Sequence, residues 1–352
     1  MTYQQPKEIA EARGRATDAA DEHAADEHNA ADPGVEKREF NLLVWMSQRG
    51  IFVFTTVLVL FAAGFVDGFS SLANITDVFN RAAPIGIVAV GMTFVVISAN
   101  YLDLSVVAQV ATAAVVLIGV SNEYNIPVAM GLALLIALTY GFVNGVAVGV
   151  FKANAVIVTL STTFIGLGIL RWLSGGSIYF GPQDGVIRSF GTTEIGPFPL
   201  SMILLIVMTV LLSLVLTRTN FGFLVRSYGS NPAATRLAGV NTAWVVIGAF
   251  SVTALAAMIA GFVLAAFSNT AVSAMATGYD FEALAAIIVG GTSVFGGRGS
   301  VMRTLLGVVF VSVLTNIMVL SGWGFGRQQM AIGALIVAAV SVDALARRVA
   351  SS

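Results

Sequence analysis

Asp103 lies in the stretch Asn100-Tyr101-Leu102-Asp103-Leu104-Ser105, between two apolar runs. A charge at membrane depth is costly, so such a carboxylate needs a partner or a task. A helix broken at this point exposes backbone and side-chain polar groups together, which is one way to line a path for a solute. An Asp just ahead of a helix also caps free N–H groups. Both readings stand on the sequence alone. Asn144, Thr159, Thr162, Thr163 and Asn316 lie inside other apolar runs. A buried threonine commonly bonds to its own helix. Taken with Asn100, Asp103 and Ser105, however, these residues suit a neutral, hydroxyl-rich solute better than an ion, because no chain of acids and bases runs through the apolar sequence. Asp280 and Glu282 match a helix N-terminus through the dipole, and Asp343 beside Arg347 and Arg348 reads as an interfacial ion pair.

Gly290-Gly291-Thr292-Ser293-Val294-Phe295-Gly296-Gly297-Arg298-Gly299 has the look of a phosphate loop and fails its test. Such a loop needs Lys and then Ser or Thr after the last glycine of Gly-x-x-x-x-Gly, one to reach phosphates and one to bind magnesium. Gly297 and Arg298 occupy those places, so nucleotide binding by this chain is rejected. The glycines instead predict a tight re-entry between helices, with Gly290, Gly291 and Thr292 either touching a solute or serving as a plain connection. Cysteine is absent, and the two histidines, His23 and His28, precede the apolar sequence. Thiolate chemistry, a histidine base and the usual metal sites are therefore excluded from the body, and no enzyme activity, cofactor or metal is expected of it.

These groups must be positioned by membrane helices. Hydrophobic residues make up 57% of the 352 and charged residues 11%, against about 25% charged in an ordinary soluble domain. About half of the 19 acidic residues lie before Phe40. Residues 1–39 read as an acidic, solvated tail with no apolar core of signal-peptide type, residues 40–346 as a transmembrane body and 347–352 as a short tail. The body divides into nine or ten apolar runs, near Ile51–Val66, Pro84–Ala99, Leu104–Val120, Ile126–Phe151, Ala155–Leu173, Leu200–Leu216, Ala243–Phe267, Phe281–Val294, Val301–Leu320 and Gln329–Leu345. The fold class is all-α polytopic membrane protein, with about ten crossings. The Phe281 run is short and predicts a half-helix. With ten crossings and a cytoplasmic N-terminus, about eleven basic residues fall inside and four (Arg81, Arg171, Arg188 and Arg327) outside, as the positive-inside rule requires. Gly141, Gly145 and Gly149, with Asn144 beside them, predict close helix packing.

The polar loop Arg226 to Asn241 holds one more element. Asn231 can cap, Pro232 suits the first helical position, and Gly239 with Asn241 can end a two-turn helix. Between two membrane spans such a helix is either a handle for another protein or a surface connector.

This loop, together with Gly278-Tyr279-Asp280-Phe281-Glu282-Ala283-Leu284-Ala285-Ala286 running into Gly290–Gly299, and Val90-Gly91-Met92-Thr93 through Asp103-Leu104-Ser105, resembles ribose-type ABC transporter permeases. The resemblance covers about Phe40 to Leu345, with the motifs in order. It implies a permease in the bacterial cytoplasmic membrane, both termini cytoplasmic, pairing with a second copy of itself or a paralogous permease. It further implies a cytoplasmic ABC ATPase that holds ATP and magnesium, an extracytoplasmic substrate-binding protein, and no nucleic acid. Asn231, Pro232, Ala233, Ala234, Thr235, Arg236, Leu237 and Gly239 would form the coupling helix, with Ala233 and Ala234 matching the family's Ala-Ala. The chain departs from the family at Tyr101 and Val107, where glycines are usual, and at Phe223, where an arginine is usual. An ion-driven secondary transporter is the alternative, and would call for inverted repeats and paired midplane acids.

Overall fold

A computed structural model describes residues 42–98, 102–196 and 198–351. The chain divides into two units, Met1–Trp45 and Met46–Ser352. The acidic tail lies outside the described residues, and so do Asn100 and Tyr101. The second unit contains the helical bundle.

The described helices, in chain order, are α1 (Leu42–Phe65), α2 (Leu72–Ile97), α3 (Val106–Glu123), α4 (Ile126–Gly149), α5 (Ala155–Ser174), α6 (Val186–Thr192), α7 (Leu200–Arg218), α8 (Asn220–Ser230), α9 (Pro232–Leu237), α10 (Thr242–Ser268), α11 (Tyr279–Val289), α12 (Val301–Leu320) and α13 (Phe325–Ser351). Eight of them are long and apolar enough to cross a membrane: α2, α3, α4, α5, α7, α10, α12 and α13. A shorter apolar stretch, Gly50–Phe65, lies in α1. The all-α polytopic architecture expected from the sequence is therefore present. Among the described residues sheet is limited to two-residue strands, with β1 (Tyr179–Phe180) antiparallel to β4 (Thr270–Ala271) and β2 (Glu194–Ile195) to β3 (Phe198–Pro199).

The half-helix expected near Phe281 is α11. Its 11 residues reach about 17 Å, roughly half the hydrocarbon core. It stops at Val289 rather than Val294 because Gly291 takes a positive φ of 80°, which turns the chain out of helix.

Other boundaries also differ from expectation. α2 starts at Leu72, twelve residues before the predicted Pro84, with the Ser71 side chain capping Asn74 N–H. Asp77 and Arg81, which look like loop charges in the sequence, form an i,i+4 ion pair at 2.7 Å along the helix. Pro84 sits within α2, as membrane helices tolerate when neighbours meet the freed groups. Residues 347–351, read as a tail, continue α13. The polar loop between α7 and α9 contains α8, a further helix that its mixed composition concealed.

α10 occupies the centre, packed on α2, α3 and α4. The α4 glycines are what let it approach. A Cβ on Gly141, Gly145 or Gly149 would stand 2.6, 2.6 or 3.0 Å from backbone atoms of Ser251, Ile247 and Ala243 respectively. The order of partners shows that α4 and α10 run antiparallel, and small residues allow two backbones to meet where side chains of ordinary size would hold them apart. α2 is buried on nearly all sides from Ala82 to Ile97. α13 lies at the periphery and packs chiefly on α11.

Candidate functional site: a buried polar strap and an exposed helix

Leu102 to Ser105, between α2 and α3, forms a strap that enters the bundle. Asp103 and Ser105 on it are fully buried. Asp103 Oδ1 accepts the Ser105 backbone N–H at 3.0 Å and the Ser105 hydroxyl. Ser105 Oγ in turn accepts from Gln109 Nε2 at 2.6 Å and from Asn144 Nδ2 at 2.8 Å. Thr163 Oγ1 donates to Leu104 O at 2.9 Å, and Thr159 Oγ1 reaches Leu102 O at 3.4 Å. Both threonines also bond back to their own helix, so each hydroxyl is shared between α5 and the strap. The carboxylate accepts the N–H two residues on, a local turn that leads into α3, whose N-cap is Ser105 and carries no side-chain cap bond.

Asp103, Ser105, Asn144, Thr159 and Thr163, predicted from separate runs, therefore meet in one place. Gln109 belongs with them and escaped the sequence reading. It lies one turn beyond Ser105, on the face of α3 that returns to the strap, and that i,i+4 spacing from a motif residue was the available signal. Asn316 stands elsewhere: it exchanges amide hydrogen bonds with Asn74 at 2.8 and 3.1 Å and ties α12 to α2. Gly290 also lies apart from the cluster, at the α11–α12 crossing, where its Cβ would meet Arg303 O at 2.5 Å. Gly291 and Thr292 open the loop that comes next.

Asn144 is five residues before the end of α4 and Thr163 eight after the start of α5, so the cluster lies about 8–12 Å in from the end of the bundle that carries α9. On its other side a groove of about 700 Å³ opens between α3, α4 and α5, mostly apolar, with Thr112, Thr139, Tyr140 and Thr162 among its lining. Tyr140 Oη fills the space left by Gly166, whose Cβ would fall 1.7 Å away.

α9 has the form expected of it. The Asn231 side chain accepts Ala234 N–H at 2.9 Å, Pro232 takes the first position, and Gly239 closes the turn with φ 82°. Thr235 is buried and returns its hydroxyl to Asn231 O at 2.9 Å. Pro232, Ala233, Ala234, Arg236, Leu237 and Gly239 are exposed. Leu237 stands 89% exposed, and Phe223 on α8 stands 63% exposed. Two alanines flanked by an open leucine give a flat surface on which another protein can come close.

The end of α8, which leads into α9, meets the end of α2 through backbone contact. A Cβ on Gly229, at the end of α8, would stand 1.8 Å from Ile97 O and 2.7 Å from Gly297 N. Gly297 N–H donates to Ile97 O at 2.9 Å, and the Gly297 Cα packs on Ser230. Three chain segments thus touch with no side chain between them: the end of α8, the end of α2 and the glycine-rich loop. Ser293 of that loop donates to Asp343 on α13 at 2.8 Å. The predicted Asp343 ion pair involves Arg347 and Arg348, whose side chains lie outside those described. Phe94 on α2 stacks on Phe221 of α8, with centroids 6.0 Å apart and planes 9° from parallel. The end of α8 therefore packs directly on the end of α2.

Among the described residues no group of three His, Cys, Asp or Glu is placed to hold a metal.

Comparison with known proteins gives consistent matches. The family profile described as branched-chain amino acid transport system / permease component matches residues 74–340. A ribose import permease protein of Haemophilus influenzae is 30% identical over 312 residues, covering 88% of this chain and 96% of the relative. A fructose import permease protein of Rhizobium meliloti is 30% identical over 84% of this chain and 85% of its own length. An autoinducer 2 import system permease protein of Salmonella paratyphi B is 31% identical over 75% of this chain and 76% of its own length. No solved structure matches.

Proposed function

Because this chain belongs to the permease-component family of branched-chain amino acid and sugar ABC import systems, we propose that it moves a sugar or similar small polar solute across the cytoplasmic membrane by alternating access, driven by a partner ATPase. The observation that carries this reading is the overlap with the ribose import permease, which spans almost the whole of that relative. In this reading the subunit contributes no catalytic residue. ATP and magnesium belong to the cytoplasmic ATPase, an extracytoplasmic binding protein delivers the solute, and a second copy or a paralogous permease completes the pore. Both termini and α9 face the cytoplasm, in keeping with the basic residues on that side.

α9 is the coupling helix. Closure of the ATPases displaces it, and the contact of Gly229 with Ile97 and Gly297 passes the displacement to the end of α2 and the strap. Asp103, Ser105 and Asn144 then form or break as one gate between two discrete arrangements. The groove of about 700 Å³ on the other side of this gate falls within the usual range for small-molecule sites, about 300–1,000 Å³.

The test is co-purification with ATPases from the same organism. Ala234→Glu places a charge on an exposed alanine, so it should abolish association and leave folding intact. A variant that still binds its ATPase at wild-type level removes α9 from this role. A reporter fused after Ser352 should read cytoplasmic, and an extracytoplasmic signal there overturns the orientation.

A further inference from the structure

Asp103 is fully buried, and no described lysine or arginine pairs with it. A desolvated carboxylate without a countercharge is among the most costly groups a protein can hold. Its surroundings make the demand sharper. The Ser105 hydroxyl proton goes to Asp103, so Ser105 Oγ is left to accept, and the amides of Gln109 and Asn144 must both turn their NH2 groups toward it. That fixes the two amides, with Gln109 Oε1 and Asn144 Oδ1 buried and without a hydrogen-bond partner among the described residues. Gln109 is 3% exposed and Asn144 0%. The O and N of one amide are about 2.3 Å apart, so each orphaned oxygen lies within about 5 Å of Ser105 Oγ. Among the described residues the remaining carboxylate oxygen, Asp103 Oδ2, has only a long contact, from Gln109 Nε2 at 3.5 Å.

We propose that this cluster binds a monovalent hard cation of the sodium class, held by the Asp103 carboxylate and the side-chain oxygens of Gln109 and Asn144. The side-chain atoms of the cluster left with no partner among the described residues are oxygens, the donor type that hard cations take. They carry a single formal charge, which matches a monovalent ion and leaves a divalent one undercompensated. A proton neutralises the carboxylate and leaves both amide oxygens unmet, and a water molecule can satisfy the amides and leaves the charge. A cation answers both needs. It also ties the strap to α3 and α4, while Thr159 and Thr163 hold it to α5 through Leu102 O and Leu104 O. The proposal does not depend on the transport reading.

The experiment is thermal unfolding of the full chain in nanodiscs, at one pH and one ionic strength, in sodium, potassium or choline chloride. Sodium should raise the midpoint saturably over choline, by about 3 °C at a hundredfold excess over Kd. The rise should vanish in Asn144→Leu, Gln109→Met and Asp103→Asn. Where a variant does not fold, the wild-type titration decides. Coincident unfolding curves in the three chlorides overturn the proposal, whether or not stability then follows pH, as it does when a proton meets the charge. Saturable stabilisation that persists undiminished in Asp103→Asn places the ion elsewhere and overturns it equally.

Discussion

Replacing Gly229 by alanine tests the contact of the end of α8 with the end of α2 and the glycine-rich loop. Its added Cβ would stand 1.8 Å from Ile97 O, 2.7 Å from Gly297 N and 2.9 Å from Ile97 C. All three are backbone atoms, so no side-chain rotation relieves the clash. The end of α8 must withdraw by about 1.6 Å to reach the 3.4 Å of ordinary contact. Overpacking of this kind costs about 1–3 kcal/mol. Disrupting the buried Gly297 N–H to Ile97 O bond adds about 1–3 kcal/mol if either group is left unmet. The unfolding midpoint of Gly229→Ala should therefore fall by several degrees. In proteoliposomes with ATPase and binding protein, the variant should hydrolyse more ATP per solute imported. Gly239 supplies the contrast. It has open space around it and φ 82°, so Gly239→Asn, a residue that accepts this conformation, should be close to neutral. If Gly229→Ala unfolds at the wild-type temperature and imports with the wild-type ATP ratio, the segment contact is not the transmitting element.

Three further outcomes are expected from the packing. Gly145→Leu should lower folded yield and unfolding temperature, since even its Cβ would meet Ile247 Cα at 2.6 Å, whereas Gly131→Ala, in open space, should leave both unchanged. Thr163→Val removes the donor to Leu104 O and should cost about 1–3 kcal/mol by denaturant unfolding, while Ser161→Ala on the exposed face of α5 should cost less than about 0.5 kcal/mol. Asn316→Leu breaks the amide pair with Asn74 and should loosen α12 from α2, read as faster hydrogen exchange in those two helices with α4 and α10 unaffected.

Much of the site was legible in pieces. Asp103, Ser105, Asn144, Thr159 and Thr163 stand out because polar groups inside apolar runs are costly wherever the chain goes. Gln109 did not stand out, because its value comes from reaching Ser105 and a single glutamine in a span carries no such signal. Asn316, marked by the same cost argument, pairs with Asn74, and Gly290 and Thr292, marked by the glycine-rich loop, lie at the α11–α12 crossing away from the cluster. Pro84 and the Asp77–Arg81 pair concealed the first half of α2, because proline and charge both read as loop until an i,i+4 ion pair and a buried bundle override them.

The sequence by itself determined what depends on local chemistry: the membrane class from apolar run length, the short span before Gly290, and the α9 cap at Asn231 with its stop at Gly239. Each rests on residues within a turn or two of each other. Tertiary structure alone decided that α10 meets the α4 glycines, that the strap is shared among α3, α4 and α5, and that Gly229, Ile97 and Gly297 touch. Those contacts join positions far apart in the chain, and they depend on how closely two backbones can approach in three dimensions. Residue type permits such an approach and does not select the partner.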